Sequence, residues 1–582
     1  MGKSVQRIIV FLHYDPDGRV DSGVRRLLGG LRPFASRLLV VSNGELTQAA
    51  RAVLEGVADQ VHERENTGYD IGGYGAALEL LGADVGYCDE LLLVNGTVFG
   101  PFRDGFDELF ARMDARRLDF WGLTEHAELT PDPYRHRGTM PAHLQSYWLA
   151  IRRRMLASQA WADFWSRLPA TDSYADAVRC FEVPFTSHFT AEGFVHEAAY
   201  PAAPYGVANP TMEAPLELLR DGCPAVKRRV FFHAPIELDH RGVAVSEVFD
   251  EMVEREFPAE VVVESLAPRV PPRTLSLATR PALVLRPPIR SLAQEPSRDP
   301  DGDVIVAGAF RVRRVEGSVW PWLARDPEGL LHGVDLVVQR GRHPAMITSS
   351  RLTTRARRDA EQALWEDAQP IAWEFADHPL IGAAFPLQPQ LGTELAGNGW
   401  QGRYGREADL AAILGLEGPL DRPGPMAPYA AVAAYRVEAL RPIVDVFRAN
   451  GGWDALAERI EGGGEELERR LDLLASRIVA QAGYTTVEVG TATQIAAAYA
   501  RIDERLQTAM AMLPHGTSAP YQFLQANRNG RFSGPALADA LVRRYPGAGR
   551  AFRIVRAWLR NARAWLRNAR PRAAAHTSTE DR

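Results

Sequence analysis

The chain has 582 residues, of which 46% are hydrophobic and 24% are charged, and its formal net charge is −6 at pH 7. This length predicts about two to four domains, and the weak acidity argues against nucleic acid as the main partner. Apolar runs are shorter than the roughly 18 residues of a membrane span, and the one near the start is too short for a signal peptide, so a cytoplasmic protein is expected.

The first part of the chain alternates between strand-like and helix-like runs. The strand-like runs are "RIIVFLHY", "SRLLVVSNG", "ELLLVNGT" and "DFWGLTE", and helical runs such as "SGVRRLLGGL" and "GGYGAALELLG" lie between them. Such alternation predicts β-α-β units, and hence an α/β fold whose mainly parallel sheet is flanked by helices. We assign residues 1–265 to this first domain.

Polar residues follow four of the predicted strands, at the point where each strand ends. They are His13, Tyr14 and Asp15; Ser42 and Asn43; Asn66 and Gly68; and Asn95 and Thr97. The carboxyl ends of parallel strands meet at one edge of a sheet, where hydroxyls, amides and tight turns can hold a polar ligand such as a nucleotide. Each group by itself is better explained as a turn, because Asn and Gly favour turns, but the four together predict a site.

Beyond the first domain the chain changes character several times. Residues 266–303 are rich in proline and are predicted to be a linker that sustains neither a helix nor a central strand. Residues 304–460 contain strand-like runs such as "DVIVAGAFRV", "GVDLVVQR" and "HPLIGAAFP", and are predicted to form a second mixed α/β domain. Long amphipathic runs predict that residues 461–548 are helical.

The C-terminal end carries a near-perfect repeat, "RAWLRNA", within residues 549–572. On a helical wheel the Trp and Leu residues of this segment fall in one arc, and a row of arginines falls in the adjacent arc. This separation is typical of a helix that lies on an anionic membrane surface, and equally of a helix docked on the protein's own body with solvated arginines. Residues 573–582 are expected to be a disordered tail.

Several segments, taken in order, resemble a known family. They are "RENTGYDIGGY", "ELLLVNGTVFGPF", "DFWGLTE", "HLQSYWLAIRR", "CFEVPFTSHFTAEGF" and "NPTMEAPLELLRDGCPAVKRRVFF". Over roughly residues 5 to 235 the chain resembles the rhamnan synthesis protein F family, which are bacterial glycosyltransferases of cell-surface polysaccharides. Pieces between about residues 373 and 507, among them "QAGYTTVEVGTATQ", are similar to a more distant, degenerate part of the same family.

The resemblance implies a GT-A-like fold and an inverting sugar transfer, with deoxythymidine-diphosphate rhamnose (dTDP-rhamnose) as the donor. The implied acceptor is a growing cell-surface polysaccharide or a lipid-linked glycan, which suits a peripheral position on the inner face of the plasma membrane. Two alternatives stay open. One is a non-catalytic scaffold that binds glycan or partners in polysaccharide assembly, and the other is a nucleotidyltransferase, whose chemistry needs metal-binding carboxylates at the strand ends.

The resemblance also implies how the donor is held. The first strand ends and an Asn-x-Gly turn hold the nucleotide, and Asp70 and Lys227 join the donor-binding residues. A later strand of the implied fold ends in Asp-x-Asp, which holds a divalent metal on the diphosphate, but this chain has Asn95-Gly96-Thr97 there. An amide and a hydroxyl supply no negative charge to hold Mg²⁺ or Mn²⁺, so no metal ligands are predicted and a metal cofactor is in doubt.

Inverting transfer needs a carboxylate that takes the proton of the acceptor hydroxyl. The resemblance places Glu182 in that role, in an acidic motif followed by a helix that ends at a small residue and an aromatic one. The simpler alternative is that Glu182 only caps or salt-bridges a helix. Glu125 and Asp70 are the other candidate carboxylates.

Further polar groups complete the predicted site. His143, Gln145 and Ser146 suit contacts with the acceptor or the sugar. The basic run that begins at Lys227 and continues through Arg228 and Arg229 is a candidate to offset the charge of the leaving diphosphate. The alternative is that this run forms a solvated basic face.

Overall fold

The computed structural model describes residues 5–511 apart from 104, 135–136, 170, 172, 234–235, 240, 286–296, 299–303, 308–309, 343, 345–349 and 389–398. The chain forms two compact units. The first comprises Met1–Pro389, Trp400–Asp421 and Pro425–Ala492 and contains both eight-stranded β-sheets, and the second comprises Gln390–Gly399, Arg422–Gly424 and Thr493–Arg582. The predicted membrane-type helix 549–572, the tail 573–582 and the predicted helical region beyond residue 511 lie outside the described residues.

The first sheet is built on strands that are apolar on both faces. The strands "RIIVFLH" and "ELLLVN" are buried along their whole length, as expected for strands covered from both sides. The strands of this half of the chain are β1 (Arg7–His13), β2 (Arg37–Asn43), β3 (Gln60–Arg64), β4 (Glu90–Asn95), β5 (Val98–Phe99), β6 (Phe120–His126), β7 (His143–Leu144), β8 (Trp148–Arg152), β9 (His196–Tyr200) and β10 (Val226–Lys227).

The strand order of this sheet is β3-β2-β1-β4-β8-β6, and both β7 and β9 pair with β6. Pairing is parallel from β3 through β2 and β1 to β4, and again between β6 and β9. Strand β8 runs antiparallel to both of its neighbours. Strands β5 and β10 form a separate antiparallel ribbon. The ends of β1, β2, β3 and β4 therefore share one edge, as predicted.

Helices pack on both faces of the first sheet. Alternate β1 residues, such as Val10 and Phe11, belong to two different apolar clusters, one with α3 and α8 and the other with α1 and α4. The helices are α1 (Ser22–Leu31), α2 (Gln48–Glu55), α3 (Tyr69–Leu81), α4 (Asp107–Asp114), α5 (Arg153–Leu156), α6 (Gln159–Ser166), α7 (Tyr174–Ala177), α8 (Val183–Ala191), α9 (Pro210–Glu213), α10 (Pro215–Arg220), α11 (Arg229–Phe232), α12 (Ile236–Asp239), α13 (Val245–Glu254), α14 (Ala259–Leu266) and α15 (Pro272–Thr279), with a π-helical turn at Val178–Glu182.

The second sheet has the order β11-β18-β16-β17-β15-β14-β13-β12. Its strands are β11 (Ala282–Leu285), β12 (Ser297–Arg298), β13 (Val304–Ala307), β14 (Phe310–Glu316), β15 (Leu336–Arg340), β16 (Ile381–Pro386), β17 (Val432–Arg436) and β18 (Thr485–Thr491). The helices of this half are α16 (Val319–Arg325), α17 (Pro327–Leu331), α18 (Ser350–Ala360), α19 (Gln369–Asp377), α20 (Tyr404–Ile413), α21 (Val437–Ala449), α22 (Gly452–Glu458), α23 (Gly463–Gln481) and α24 (Ala492–Ala511).

The structure confirms the α/β class and the mainly parallel first sheet flanked by helices. The prediction that residues 266–303 cannot hold a helix is wrong, because α15 forms there. Pro271 and Pro272 stand at its cap and first position, where a missing N–H breaks no hydrogen bond. From the same segment, β11 joins the edge of the second sheet beside β18, a strand that itself lies inside the predicted helical region. The domain boundaries otherwise stay a prediction.

Within the described part of the chain, none of the helices combines the length and the apolar composition that crossing a membrane requires.

Candidate functional site

The end of strand β4 is organised by the buried side chain of Asn95. Its Oδ1 accepts hydrogen bonds from the backbone N and from Oγ1 of Thr97, at 3.2 and 2.5 Å. Its Nδ2 donates to Oδ2 of Asp70, in the first turn of α3, at 2.8 Å. The amide therefore holds a hydroxyl and a carboxylate in place beside the strand end.

Lys227 reaches the same point from the ribbon of β5 and β10, where it pairs with Val98. Its Nζ donates to Oγ1 of Thr97 at 2.8 Å and lies 3.7 Å from the ring centroid of Tyr147. A cation over an aromatic face is attracted by the ring, so the ammonium group has two fixed contacts. The chain thus places a positive charge directly on the β4 strand end.

The charges at this strand end influence one another. Burial lowers the pKa of Lys227 to about 8, and the nearby carboxylates of Glu182 and Asp70 oppose that shift. Burial also raises the pKa of Asp70, while Lys227 and the hydrogen bond from Asn95 act in the opposite direction. Lys227 is therefore charged at neutral pH, but its pKa lies within reach of an ordinary titration.

Glu182 closes the π-helical turn Val178–Glu182, immediately before α8. Its Oε2 accepts hydrogen bonds from the backbone N and Oγ of Ser146, at 2.8 and 2.5 Å, and its Oε1 lies 3.8 Å from Nε2 of His143. Burial acts to raise the pKa of Glu182, but the nearby His143 side chain and the hydrogen bonds from Ser146 hold it below the usual value for a glutamate. The side chain is therefore an ionised carboxylate at neutral pH.

These groups line one cavity of about 330 Å³. Seven of the predicted site residues lie on its wall: Asp70, Asn95, Thr97, Gln145, Ser146, Glu182 and Lys227. A carboxylate suited to accept a proton and an ammonium group suited to meet an anion thus share a single enclosed space. His143 adjoins this cavity through its contact with Glu182.

A second cavity of about 240 Å³ lies at the end of β1. Its wall includes the predicted residues His13, Tyr14 and Asp15, and Thr97 and Arg229 line both this cavity and the first. Burial lowers the pKa of His13 to about 4, so this imidazole is neutral at physiological pH. The two cavities adjoin where β4 ends.

Four arginines line the second cavity: Arg19, Arg228, Arg229 and Arg269. Arg228 is buried and forms a bidentate ion pair with Asp21 at 2.6 and 3.0 Å, so its role is structural. Arg269 pairs with Asp15. Arg229 is exposed, so the predicted basic run divides between one framework ion pair and two cations that border the cavities.

The remaining predicted residues lie elsewhere. Ser42 donates to the carbonyl of Gly44 within a turn, and Asn43 donates to the carbonyl of Tyr69 at the start of α3. Asn66 and Gly68 line a third cavity of about 790 Å³. Glu125 accepts a 3.1 Å hydrogen bond from the backbone N of Ala202 and is not on the wall of the Glu182 cavity.

The structure adds residues that sequence reasoning missed. Tyr69, Tyr147, Tyr174, Asn209 and Thr211 line the Glu182 cavity, and Arg19 and Arg269 line the arginine-lined one. One sequence signal was available for this site: Lys3 and Lys227 are the only lysines among 67 basic residues. Lysine and arginine are not interchangeable, because the lysine ammonium is compact and its pKa shifts readily on burial.

A divalent metal does not fit the β4 strand end. The groups present are the amide of Asn95, the hydroxyl of Thr97, the single carboxylate of Asp70 and the ammonium of Lys227, and the last of these repels a cation. Across the part of the chain that the structure describes, no group of three or more His, Cys, Asp or Glu side chains is placed to hold a metal ion.

Comparisons with known proteins agree with the resemblance found in the sequence. The family model of rhamnan synthesis protein F matches residues 38–286. The uncharacterized protein y4gN of Sinorhizobium fredii (strain NBRC 101917 / NGR234) is 26% identical over 196 residues, which are 33% of this chain and 48% of that protein. The chain thus spans about half the length of this curated relative.

Solved structures give a fainter similarity. CMP:2-keto-3-deoxy-manno-octonic acid synthetase complexed with CTP is 13% identical with a TM-score of 0.21, over 37% of this chain and 97% of that chain. The 4-diphosphocytidyl-2C-methyl-D-erythritol synthase of Anaerococcus prevotii DSM 20548 is 8% identical with a TM-score of 0.24, over 34% and 90% of the two chains. Superpositions at these TM-scores carry no argument about the site.

Proposed function

We propose that this protein is an inverting glycosyltransferase that moves a rhamnosyl group from dTDP-rhamnose to a growing cell-surface polysaccharide or a lipid-linked acceptor. The family match supports a glycosyltransferase-like role in polysaccharide biosynthesis. The observation that carries the proposal is that Glu182 and Lys227 line one cavity. An ionised carboxylate and an ammonium group there supply a base for the acceptor and a counter-charge for the leaving group.

In the proposed reaction Glu182 is the general base. The bond between the sugar C1 and the diphosphate oxygen breaks, and the acceptor oxygen bonds to C1 from the opposite face. The acceptor proton passes to the carboxylate of Glu182. Ser146 donates two hydrogen bonds to Oε2, which leaves Oε1 as the oxygen that takes the proton. Gln145 and Ser146 stand beside it, where an acceptor sugar would lie.

The leaving diphosphate carries negative charge that must be offset in the transition state. We place the sugar in the Glu182 cavity and the nucleotide in the arginine-lined cavity, with the diphosphate at Thr97 and Arg229, which border both. Lys227, held on Thr97, then faces the phosphate oxygens. Fixed cations of the chain thus offset the charge, and no step of the proposed reaction uses a metal.

Binding and turnover test this function together. Isothermal titration calorimetry with a panel of nucleotide sugars should give the tightest binding for dTDP-rhamnose, and incubation with an acceptor glycan should release dTDP. If the protein binds glycan but no nucleotide sugar, the non-catalytic scaffold is the better description.

We also propose that the protein is peripheral on the inner face of the plasma membrane. The support is the separation of Trp and Arg arcs in residues 549–572, which lie outside the described residues. Sedimentation with anionic vesicles at low salt tests it: a chain that ends at Gly549 should no longer sediment, and full-length protein that ignores such vesicles would contradict the proposal.

A further inference from the structure

Five strands of the second sheet repeat the arrangement of five strands of the first. In the first sheet β9 is parallel to β6, β6 is antiparallel to β8, β8 is antiparallel to β4, and β4 is parallel to β1. In the second sheet β18, β16, β17, β15 and β14 are joined by the same series of parallel and antiparallel pairings. Both sets also follow the same order along the chain.

The register of the two sets agrees as well. Strands β8 and β17 each end in an arginine, Arg152 and Arg436, and a helix begins at the next residue in both cases. Each arginine pairs with the first residue of the neighbouring strand, Glu90 in one sheet and Leu336 in the other. The correspondence therefore extends to individual positions.

The helix that leads into the last strand gives the sharpest correspondence. Glu182 and Asp472 stand at the same distance in sequence before a glycine, Gly193 or Gly483, whose φ is +80° or +84°. The next residue is aromatic, and its backbone N donates to the carbonyl five residues back in both helices, at 3.0 and 3.2 Å. The acidic position, the helix and its glycine terminus are thus all present twice.

The surroundings of the second carboxylate differ from those of Glu182. Asp472 is buried, and its Oδ1 accepts hydrogen bonds from Nε1 of Trp320 at 2.8 Å and from Nε2 of Gln339 at 3.3 Å. The indole of Trp320 is fully buried and covers it. By the strand registers, Gly341 replaces Asn95 and Ala430 replaces Ser146. The described counterparts of Asn95 and Ser146 therefore carry no polar side chain.

The helix that carries Asp472, α23, instead contacts segments that flank the arginine-lined cavity. Its buried Arg477 donates to the carbonyls of Ala267 and Val270, at 2.6 and 3.4 Å, and these residues flank the cavity residue Arg269.

Its last residue, Gln481, accepts from the backbone N of Glu417 at 2.6 Å. Glu417 in turn forms a bidentate ion pair, at 2.8 and 3.1 Å, with Arg19, which lines the arginine-lined cavity. Two separate segments of that wall are therefore tied to α23.

We propose that residues 310–491 are a second copy of the transferase fold that has no transfer site of its own and holds one wall of the donor cavity of the first copy. Glu417 and Arg477 are then positioning residues that act through Arg19 and Arg269. The term donor cavity rests on the proposed function. The duplication does not, and neither do the contacts that α23 makes with Glu417, Ala267 and Val270.

Glu417→Gln tests whether the Glu417–Arg19 ion pair holds the cavity wall. Glu417 lies at the surface, so its substitution leaves the core untouched. Hydrogen–deuterium exchange in residues 14–21 should become faster, and KM for dTDP-rhamnose should rise roughly two- to fivefold with kcat unchanged. Asp454→Asn is the matched control, since Asp454 forms another exposed ion pair, with Arg325 at 2.7 Å. If hydrogen–deuterium exchange in residues 14–21 is equal in Glu417→Gln and in the control, Glu417 does not hold the cavity wall and the proposal is overturned.

Asp472→Asn tests the absence of a second transfer site. Its oxygen can still accept from Trp320 and Gln339, so the variant should keep wild-type turnover. A folded variant that loses turnover as Glu182→Gln does would overturn the proposal. If the wild-type protein binds no nucleotide sugar at all, the proposed function fails. The hydrogen–deuterium exchange comparison still decides whether Glu417 holds the cavity wall.

Discussion

The Nζ atom of Lys227 donates a 2.8 Å hydrogen bond to Oγ1 of Thr97, the residue that follows the buried strand β4 by two positions. This contact places a protein cation at the strand end where the resembled fold carries metal-binding carboxylates. The chemistry of the site is therefore tied to a titratable amine, and several expectations follow from its position.

Lys227 should titrate with a pKa near 8, because burial disfavours its charged form. Reductive ¹³C-methylation labels only the α-amino group, Lys3 and Lys227, so NMR can follow each amine against pH. Lys227→Arg identifies the signal by removing it. A pKa near that of a free lysine would show that the side chain is solvated, and the charge-offset role would then be withdrawn.

Lys227→Ala should lower turnover more than Arg325→Ala. Arg325 is the control, because it is an exposed cation at the end of α16. In the wild type, kcat/KM for the donor should fall as pH rises through about 8, because the neutral amine no longer offsets phosphate charge. An unchanged alkaline limb in Lys227→Arg, whose side chain stays protonated, would contradict this explanation of the profile.

Glu182→Gln should keep donor affinity and lower kcat by about 10²-fold or more, because the amide cannot take the acceptor proton. Glu125→Gln is the matched control, since Glu125 accepts from the backbone of Ala202 away from the cavity. Single-turnover kinetics with saturating donor separate the chemical step from binding. Near wild-type turnover in Glu182→Gln, or a larger loss in the control, would transfer the role of base to another group.

Asn95→Ala should destabilise the protein by roughly 1–3 kcal/mol, because it removes the buried amide that donates to Asp70 and accepts from Thr97. Donor affinity should fall as well, since Thr97 positions Lys227. Urea unfolding measures the first effect and calorimetry the second. Asn66→Ala, at an exposed position, should leave stability within experimental error, and equal losses in both variants would count against the network.

Asp472 should make stability depend on pH. Burial raises its pKa to about 7 in the folded state, so the folded protein binds this proton more tightly than the unfolded chain. Its stabilising contribution is complete below the unfolded value near 3.8 and is lost as pH rises to about 7. Asp472→Asn removes this dependence, so its melting temperature should exceed that of the wild type by a margin that grows between about pH 4 and pH 7. A constant margin would show that Asp472 is ionised throughout.

Much of the first sheet could be predicted from the sequence, because its strands are continuous apolar runs with turn residues at their ends. The α15 helix does not follow from proline content, because Pro272 occupies the first helical position, where proline is tolerated. A rule based on composition cannot distinguish a proline inside a helix from one at its start.

The site could be predicted in part. Asn95 and Thr97 were found because they follow a buried strand, and Glu182 because its motif resembles a family pattern. Arg269 and Tyr147 were not found, because each is brought to its cavity by contacts distant in sequence. Ser42 and Asn66 stand at strand ends as Asn95 does, yet Ser42 stabilises a turn and Asn66 lines a separate cavity. Periodicity predicts that a residue lies at a strand end, but not what it faces.

The most direct test of the transfer site is turnover of dTDP-rhamnose with an acceptor glycan in the presence of a metal chelator. With Lys227 on the β4 strand end, the wild-type protein should release dTDP at an undiminished rate after chelation, and Glu182→Gln should not. Complete loss of wild-type turnover on chelation, restored by Mn²⁺ or Mg²⁺, would show that carboxylates such as Asp15 or Asp70 bind a metal and would contradict the account.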